Sequence, residues 1–389
     1  MRGIAALVVL AIHSFPGERC LLNAFVAVDF FFILSGFVIC HAYGEKLARG
    51  MTVRDYLVRR ISRLYPLMFI GVLLGAPLLA HLTMTHPNAF TMRDFAVVIV
   101  SNGFMLPYLT AKHVPLWGVF PTNLPLWSLA FEVLASATFP LLLRLNRISL
   151  QKFCVGWLAI LFVSAFVRGI ASHRNIFDMD AGWYIDSFLG GFPRVFFGFS
   201  CGMLLYRLRP SATSHIKSVN PYLIYICLLI MLMVPVTLKG LYPLVATAIL
   251  APLLVWFGSF SPCNSHITAR SSEFLGWLSY PLYCVHMPIL LLVPSIYKRI
   301  ALFSRLGIPE KVAAVVLALL VAVIAGMLND KLQLQRRLTT FLTVLIRVYA
   351  HVSEILTRAD DQPERGPSSL SIAELADPSR TRQTSIKRP

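Results

Sequence analysis

The chain has 389 residues, of which 57% are hydrophobic and only 14% charged. Soluble domains carry about a quarter charged residues, so this balance excludes a soluble enzyme and predicts a chain whose main solvent is lipid. The net charge of +17 does not argue for nucleic acid as a partner, because the basic residues fall in short loops between apolar runs rather than on one face of a compact domain.

Apolar runs of the length that crosses a hydrocarbon core, about 17–25 residues, occur near 3–20, 24–43, 64–83, 124–143, 153–171, 186–206, 221–238, 241–259, 273–294 and 311–330. A further run, 94–111, is moderately apolar but broken by Ser101, Asn102, Gly103 and Pro107. Charge asymmetry decides its status. If it does not span, one side collects Lys46, Arg49, Arg54, Arg59, Arg60 and Arg63, then Arg144, Arg147 and Lys152, then Arg207, Arg209 and Lys217, then Arg270 and the basic stretch from Lys331. If it spans, the three middle loops change sides. The expectation is therefore an all-α membrane protein with about ten transmembrane helices in one bundle around a polar cavity, both termini cytoplasmic, and 94–111 re-entrant or interfacial. Residues 1–335 form the transmembrane domain. Residues 355–389 are too polar to build a core and are expected to be a disordered cytoplasmic tail.

The first span shows no small-residue cleavage site and is expected to remain in the mature protein. The seven cysteines, Cys20, Cys40, Cys154, Cys201, Cys227, Cys263 and Cys284, are scattered singly without a CxxC pair. They are expected to be small apolar residues rather than a zinc site or disulfide framework, and no metal is implied.

The chemistry-bearing residues begin in the first span. Arg2 and His13 stand eleven positions apart, which on a helix is about three turns and roughly 16 Å of rise, so they share nearly one face. A histidine at membrane depth can exchange a proton near neutral pH, or can simply hydrogen-bond a neighbouring helix. Asp29 in the second span needs a partner. Bonded to His13 it would orient the imidazole as a triad acid does; the alternative is a salt bridge to an intramembrane arginine. Ser35 and Gly36 suit close helix packing. Arg60 and Arg63 form an RxxR pair on one face at the start of the third span, suited to phosphate or to anionic lipid. Trp127 and Glu132 in the fourth span, Arg194 in the sixth, and Ser279, Tyr280, Tyr283 and His286 in the ninth add polar groups at depth that packing alone does not explain.

In this order and on these spans, Arg2-x10-His13, Val28-Asp29-Phe30-Phe31, Leu34-Ser35-Gly36-Phe37, Arg60-x2-Arg63, Leu126-Trp127-Ser128-Leu129 with Glu132, Arg194 ahead of Gly198 and Gly202, and Ser279-Tyr280-x2-Tyr283-x2-His286 resemble the acyltransferase 3 family of membrane proteins that O-acylate surface and secreted glycans. The resemblance runs from residue 2 to about 330. It implies a multi-pass protein of the bacterial cytoplasmic (inner) membrane that takes an acyl group, most often acetyl, from acyl-CoA and transfers it to a hydroxyl of a glycan or lipid-linked saccharide. Arg2, Arg60 and Arg63 would hold acetyl-CoA, His13 and Asp29 would be catalytic, and the remaining polar residues would line the substrate cavity. His13 would serve as general base or as transient acyl carrier. Family members carry several residues ahead of the motif arginine, whereas Met1 alone precedes Arg2, which implies a start assigned too late or a short first helix. Some also carry an extracytoplasmic hydrolase-like domain, and the polar tail here implies that any hand-off to one uses a separate protein.

Two other classes remain open on these residues. A proton-coupled transporter or flippase of an anionic or sugar substrate would also place charges at depth, although no internal repeat is visible. A structural membrane subunit would leave His13, Glu132 and His286 without a reason.

Overall fold

The computed structural model describes residues 1–360 apart from 87, 89, 110–117, 174, 210–218, 262–264, 298–306 and 308. Among the described residues every regular element is helical. Lys217, Cys263, the end of the 94–111 run and the polar segment from 361 onward lie outside them.

Eight helical segments are long and apolar enough to cross a membrane: Arg19–Ala48, Val53–Thr85, Leu126–Leu143, Arg147–Ser172, Ile185–Leu208, Leu238–Gly258, His266–Pro294 and Glu310–Lys331. Two shorter apolar helices, Arg2–Ser14 and Pro221–Met233, occupy the remaining expected spans 3–20 and 221–238. The protein is thus a multi-pass helical membrane protein. The segment around 94–111 forms α4, Met92–Gly103, opened by a capping box between Thr91 and Asp94. Twelve residues rise only about 18 Å, too little to cross, and its Val98 packs with Leu79, Phe90 and Tyr108 in a small separate core.

Surfaces follow lipid logic. On α12, Glu310–Lys331, the buried face is Ala313, Ala314, Ala318, Ala322, Ala325 and Gly326, while Val312, Val316, Leu320, Ile324 and Met327 point outward. Small residues inside and large ones outside is the reverse of a soluble helix. It arises because lipid solvates leucine as well as the core does, and backbone approach then drives association.

The bundle centre is built by such approaches. α2, Val26–Ala48, and α7, Gly191–Leu208, run side by side so closely that a Cβ on Gly36 would lie 2.0 Å from the Phe199 carbonyl oxygen, and one on Gly202 only 1.9 Å from that of Ile33. α1, Arg2–Ser14, lies parallel to α11, His266–Tyr297: Gly3 abuts Leu275 at one end and His13 meets His286 at the other. α11 carries Pro281, Pro288 and Pro294 within the helix. Pro288 has no N–H for the carbonyl of Cys284, and Asn123 Nδ2 donates to that carbonyl instead at 2.6 Å. Gly71 of α3, Val53–Thr85, makes room for this contact, since a Cβ there would lie 2.3 Å from the Cys284 oxygen. At the end of α5, Leu126–Leu143, Arg207 donates to the carbonyls of Leu143 and Leu145 at 2.8 and 2.6 Å, satisfying groups that a helix C-terminus leaves open.

The chain divides into two units, Met1–Thr339 and Thr340–Pro389. The described part of the second continues the long helix α13, Leu334–Asp360. Helix therefore extends into the stretch expected to be disordered from residue 355, up to Asp360.

Candidate active site

One end of the bundle holds a cavity of about 150 Å³ lined by Arg2, Ser35, Arg60, Arg63, Glu132, Trp277, Ser279, Tyr280, Asn329 and Asp330, among others. α1 contributes Arg2 from its first turn, α3 contributes Arg60 and Arg63, and α11 contributes Ser279 and Tyr280 from one turn. The three-residue spacing of Arg60 and Arg63 turns both toward the cavity.

Glu132 organises the polar wall. Ser35 Oγ donates to its Oε1 at 2.7 Å, and Arg60 donates to the same oxygen at 3.2 Å. Arg60 also donates to Ser136 Oγ at 3.2 Å, and its Nε is buried without a partner. Asp330, the second carboxylate on the wall, accepts from Trp277 Nε1 at 2.8 Å. Among the described residues neither Arg2 nor Arg63 forms an ion pair. Three guanidinium groups face two carboxylates, so the cavity keeps a positive balance and donors free to bind an anion bidentately. Ser35, expected to serve packing, is thus a polar member of the wall; Gly36, its neighbour, does serve packing.

A second, smaller cleft of about 20 Å³ shares Arg2, Glu132, Ser279 and Tyr280 with the cavity and adds Phe31, Ser128 and Tyr283. Ser128 Oγ and Tyr283 Oη are hydrogen-bonded at 2.6 Å. Phe31 meets the Tyr283 ring edge-on at 5.8 Å between centroids. His286 follows one turn beyond, its ring 5.9 Å from that of Tyr283.

His13 Nδ1 lies 3.0 Å from His286 Nε2, with the rings 5.1 Å apart and inclined by 32°. His286 is 1% exposed, whereas His13, in the last turn of α1, is only half-buried. Arg2 and His13 therefore place an arginine-lined cavity and an imidazole at the two ends of one helix.

Asp29 is not the partner of His13. Its Oδ1 and Oδ2 accept from Arg194 Nε and Nη2 at 2.9 and 2.7 Å, and the two side chains are 0% and 1% exposed. A carboxylate removed from water gains more from a bidentate guanidinium than from a neutral ring N–H, so the intramembrane arginine prevails. Arg194 also donates to the Ala181 carbonyl at 2.6 Å and lies over the Trp127 ring at 5.2 Å. Trp127, Arg194 and His286, expected in the substrate cavity, line neither the cavity nor the cleft; Trp127 packs its ring against the Arg194 guanidinium of the ion pair, and His286 pairs with His13.

Asn123 was not singled out by its sequence. The signal for it was Pro288, which requires that some side chain accept responsibility for the Cys284 carbonyl, but nothing local names which one. Ser136 and Asp330 likewise become visible only in three dimensions.

The family model of the acyltransferase 3 family, described as an acyltransferase domain, matches residues 1–327. Protein 2 in the picA locus of Rhizobium radiobacter is 46% identical over 79 residues, which is 20% of this chain and 41% of that protein. The chain therefore spans about two fifths of the length of that relative. No solved structure matches. With the family model covering most of the chain, the protein belongs to the acyltransferase 3 family of membrane acyltransferases.

Proposed function

We propose that this protein transfers an acyl group, acetyl in the first instance, from acyl-CoA to a hydroxyl of a cell-envelope or secreted glycan. The observation that carries the reading is that Arg2, one wall of the arginine cavity, stands on the same helix as His13, about 16 Å away along its axis. Acyl-CoA enters from the cytoplasm, with its phosphates on Arg2, Arg60 and Arg63 and its thioester reaching past Tyr283 toward His13. The topology that goes with this has both termini cytoplasmic in a bacterial inner membrane.

In the chemical step the acceptor oxygen attacks the thioester carbonyl, the new C–O bond forms, the C–S bond breaks, and the proton leaves the hydroxyl for His13 and returns to the CoA thiolate. In the carrier route the His13 nitrogen attacks the thioester carbonyl and the C–S bond breaks to release CoA thiolate; the acceptor oxygen then attacks the acyl-imidazolium, the C–N bond breaks, and the hydroxyl proton passes to the thiolate. Both routes use one imidazole lone pair. Rapid quench and detection of acyl-histidine selects the carrier route.

The test uses membranes containing the protein, radiolabelled acetyl-CoA and the glycan fraction of the cell envelope. Base-labile label should enter the glycan with wild type and fail to do so with His13→Ala inserted at equal level. Full transfer by His13→Ala removes the assignment, and acetyl-CoA left unconsumed by the wild type favours a transporter.

A further inference from the structure

The histidine pair has a defined direction. His286 Nδ1 sits 3.0 Å from the carbonyl oxygen of Leu282 and 3.1 Å from that of Tyr283. Carbonyl oxygens only accept, so Nδ1 must carry the proton, and neutral imidazole then has its lone pair on Nε2. That nitrogen is the one facing His13, at 3.0 Å from His13 Nδ1. For this contact to be a hydrogen bond, His13, which also bonds the Val9 backbone of its own helix, must in turn hold its proton on Nδ1, which leaves the lone pair on Nε2.

We infer that His286 is a positioning residue that locks His13 in the Nδ1–H tautomer and so presents Nε2 to the reacting groups. The inference rests on the acyltransferase reading of His13. In a serine-protease type of triad, a carboxylate does this work and stabilises the imidazolium. Here Asp29 is fully engaged by Arg194, and the role passes to a second imidazole whose own tautomer is set by the backbone of α11. The Leu282 and Tyr283 carbonyls lie in the same helix as His286, so this anchor is built into the fold rather than into a mobile loop. When His13 takes a proton on Nε2, its Nδ1–H continues to donate to His286 Nε2, and no charged partner needs to enter the membrane.

The test combines two readouts on the full-length protein in lipid nanodiscs. Nitrogen NMR of histidine-labelled protein, with the His13 signal assigned by its loss in His13→Gln, should show the Nδ1–H tautomer in wild type and a mixture in His286→Ala. In acetyl transfer from radiolabelled acetyl-CoA to envelope glycan, His286→Ala should lower kcat by about 10²-fold or more with the KM for acetyl-CoA unchanged. His286→Gln, whose Oε1 can accept from His13 Nδ1–H, should restore most of that loss and the single tautomer. An Nε2–H tautomer in wild type, or equal losses in the alanine and glutamine variants, overturns the positioning role while leaving His13 as the reactive group. Undiminished transfer by His13→Ala instead overturns the underlying reading, and the tautomer measurement still stands by itself.

Discussion

Asp29 and Arg194 close a fully buried, two-pronged ion pair between α2 and α7, with contacts of 2.9 and 2.7 Å. The pair is possible because Gly36, Gly198 and Gly202 let the two helices approach to backbone contact. Removing one partner strands the other charge. Asp29→Asn or Arg194→Met should each lose about 3–5 kcal/mol of stability, seen as a lower Tm and yield in detergent. The double variant Asp29→Leu with Arg194→Met should recover much of that loss. A normally folded Asp29→Asn protein with reduced kcat alone would return Asp29 to the triad role.

The cavity arginines should govern the donor rather than the acceptor. Arg63→Ala removes a guanidinium that has no carboxylate partner among the described residues, so its fold should survive. Losing a charge-assisted hydrogen bond of about 1.5–3 kcal/mol should raise the KM for acetyl-CoA roughly ten- to a hundredfold, with the acceptor KM nearly unchanged. Arg60→Ala should show the same shift plus a loss of stability, because Glu132 is then left buried with only Ser35 as donor. Steady-state kinetics varying each substrate in turn decides between this and an acceptor site.

Asn123 and Pro288 should be coupled. Asn123→Ala leaves the Cys284 carbonyl unpaired and should cost about 1–3 kcal/mol. Pro288→Ala restores the helix's own N–H to that carbonyl, so Asn123→Ala should be much milder in that background. A double-mutant cycle by thermal unfolding measures the coupling; strict additivity would show that the proline is not the reason for the asparagine.

Glycine substitutions should separate packing from exposure. Gly202→Ala and Gly36→Ala place a Cβ 1.9 and 2.0 Å from a neighbouring carbonyl oxygen, so α2 and α7 must part and the Asp29–Arg194 pair must loosen. Both variants should fall sharply in folded yield on size-exclusion chromatography. Gly156→Ala, where a Cβ meets nothing within 4 Å, should be tolerated.

The topology has a chemical test in Cys20, an exposed free cysteine in the single 3-10 turn Arg19–Leu21 that lies in the connection between α1 and α2, at the very start of the segment Arg19–Ala48. With both termini cytoplasmic this loop faces outward. A membrane-impermeant maleimide should therefore label Cys20 in intact cells, in a background where the other cysteines are replaced; labelling only after the cells are opened would invert the orientation.

The architecture was legible in the sequence because lipid imposes a local rule: any segment in the hydrocarbon must satisfy its own backbone, so a long apolar run reads as a helix without reference to anything else. The same holds for the shared face of Arg2 and His13, which depends only on helical period, and for the RxxR pair of Arg60 and Arg63. Partner choice is different, because it joins residues far apart in sequence through packing. The sequence offers Asp29 two partners, His13 and an intramembrane arginine, and only the approach of α2 to α7 brings Arg194 into bidentate range. His286, 273 positions from His13, meets it because α1 and α11 run parallel from Gly3 and Leu275 onward. Ser35 moved from packing to the polar wall, and Asn123 gained a function from a proline in another helix. Periodicity determines which face a residue takes; which charge or hydrogen bond waits on the other side is settled when helices dock, since desolvated groups accept whichever partner the assembled bundle supplies.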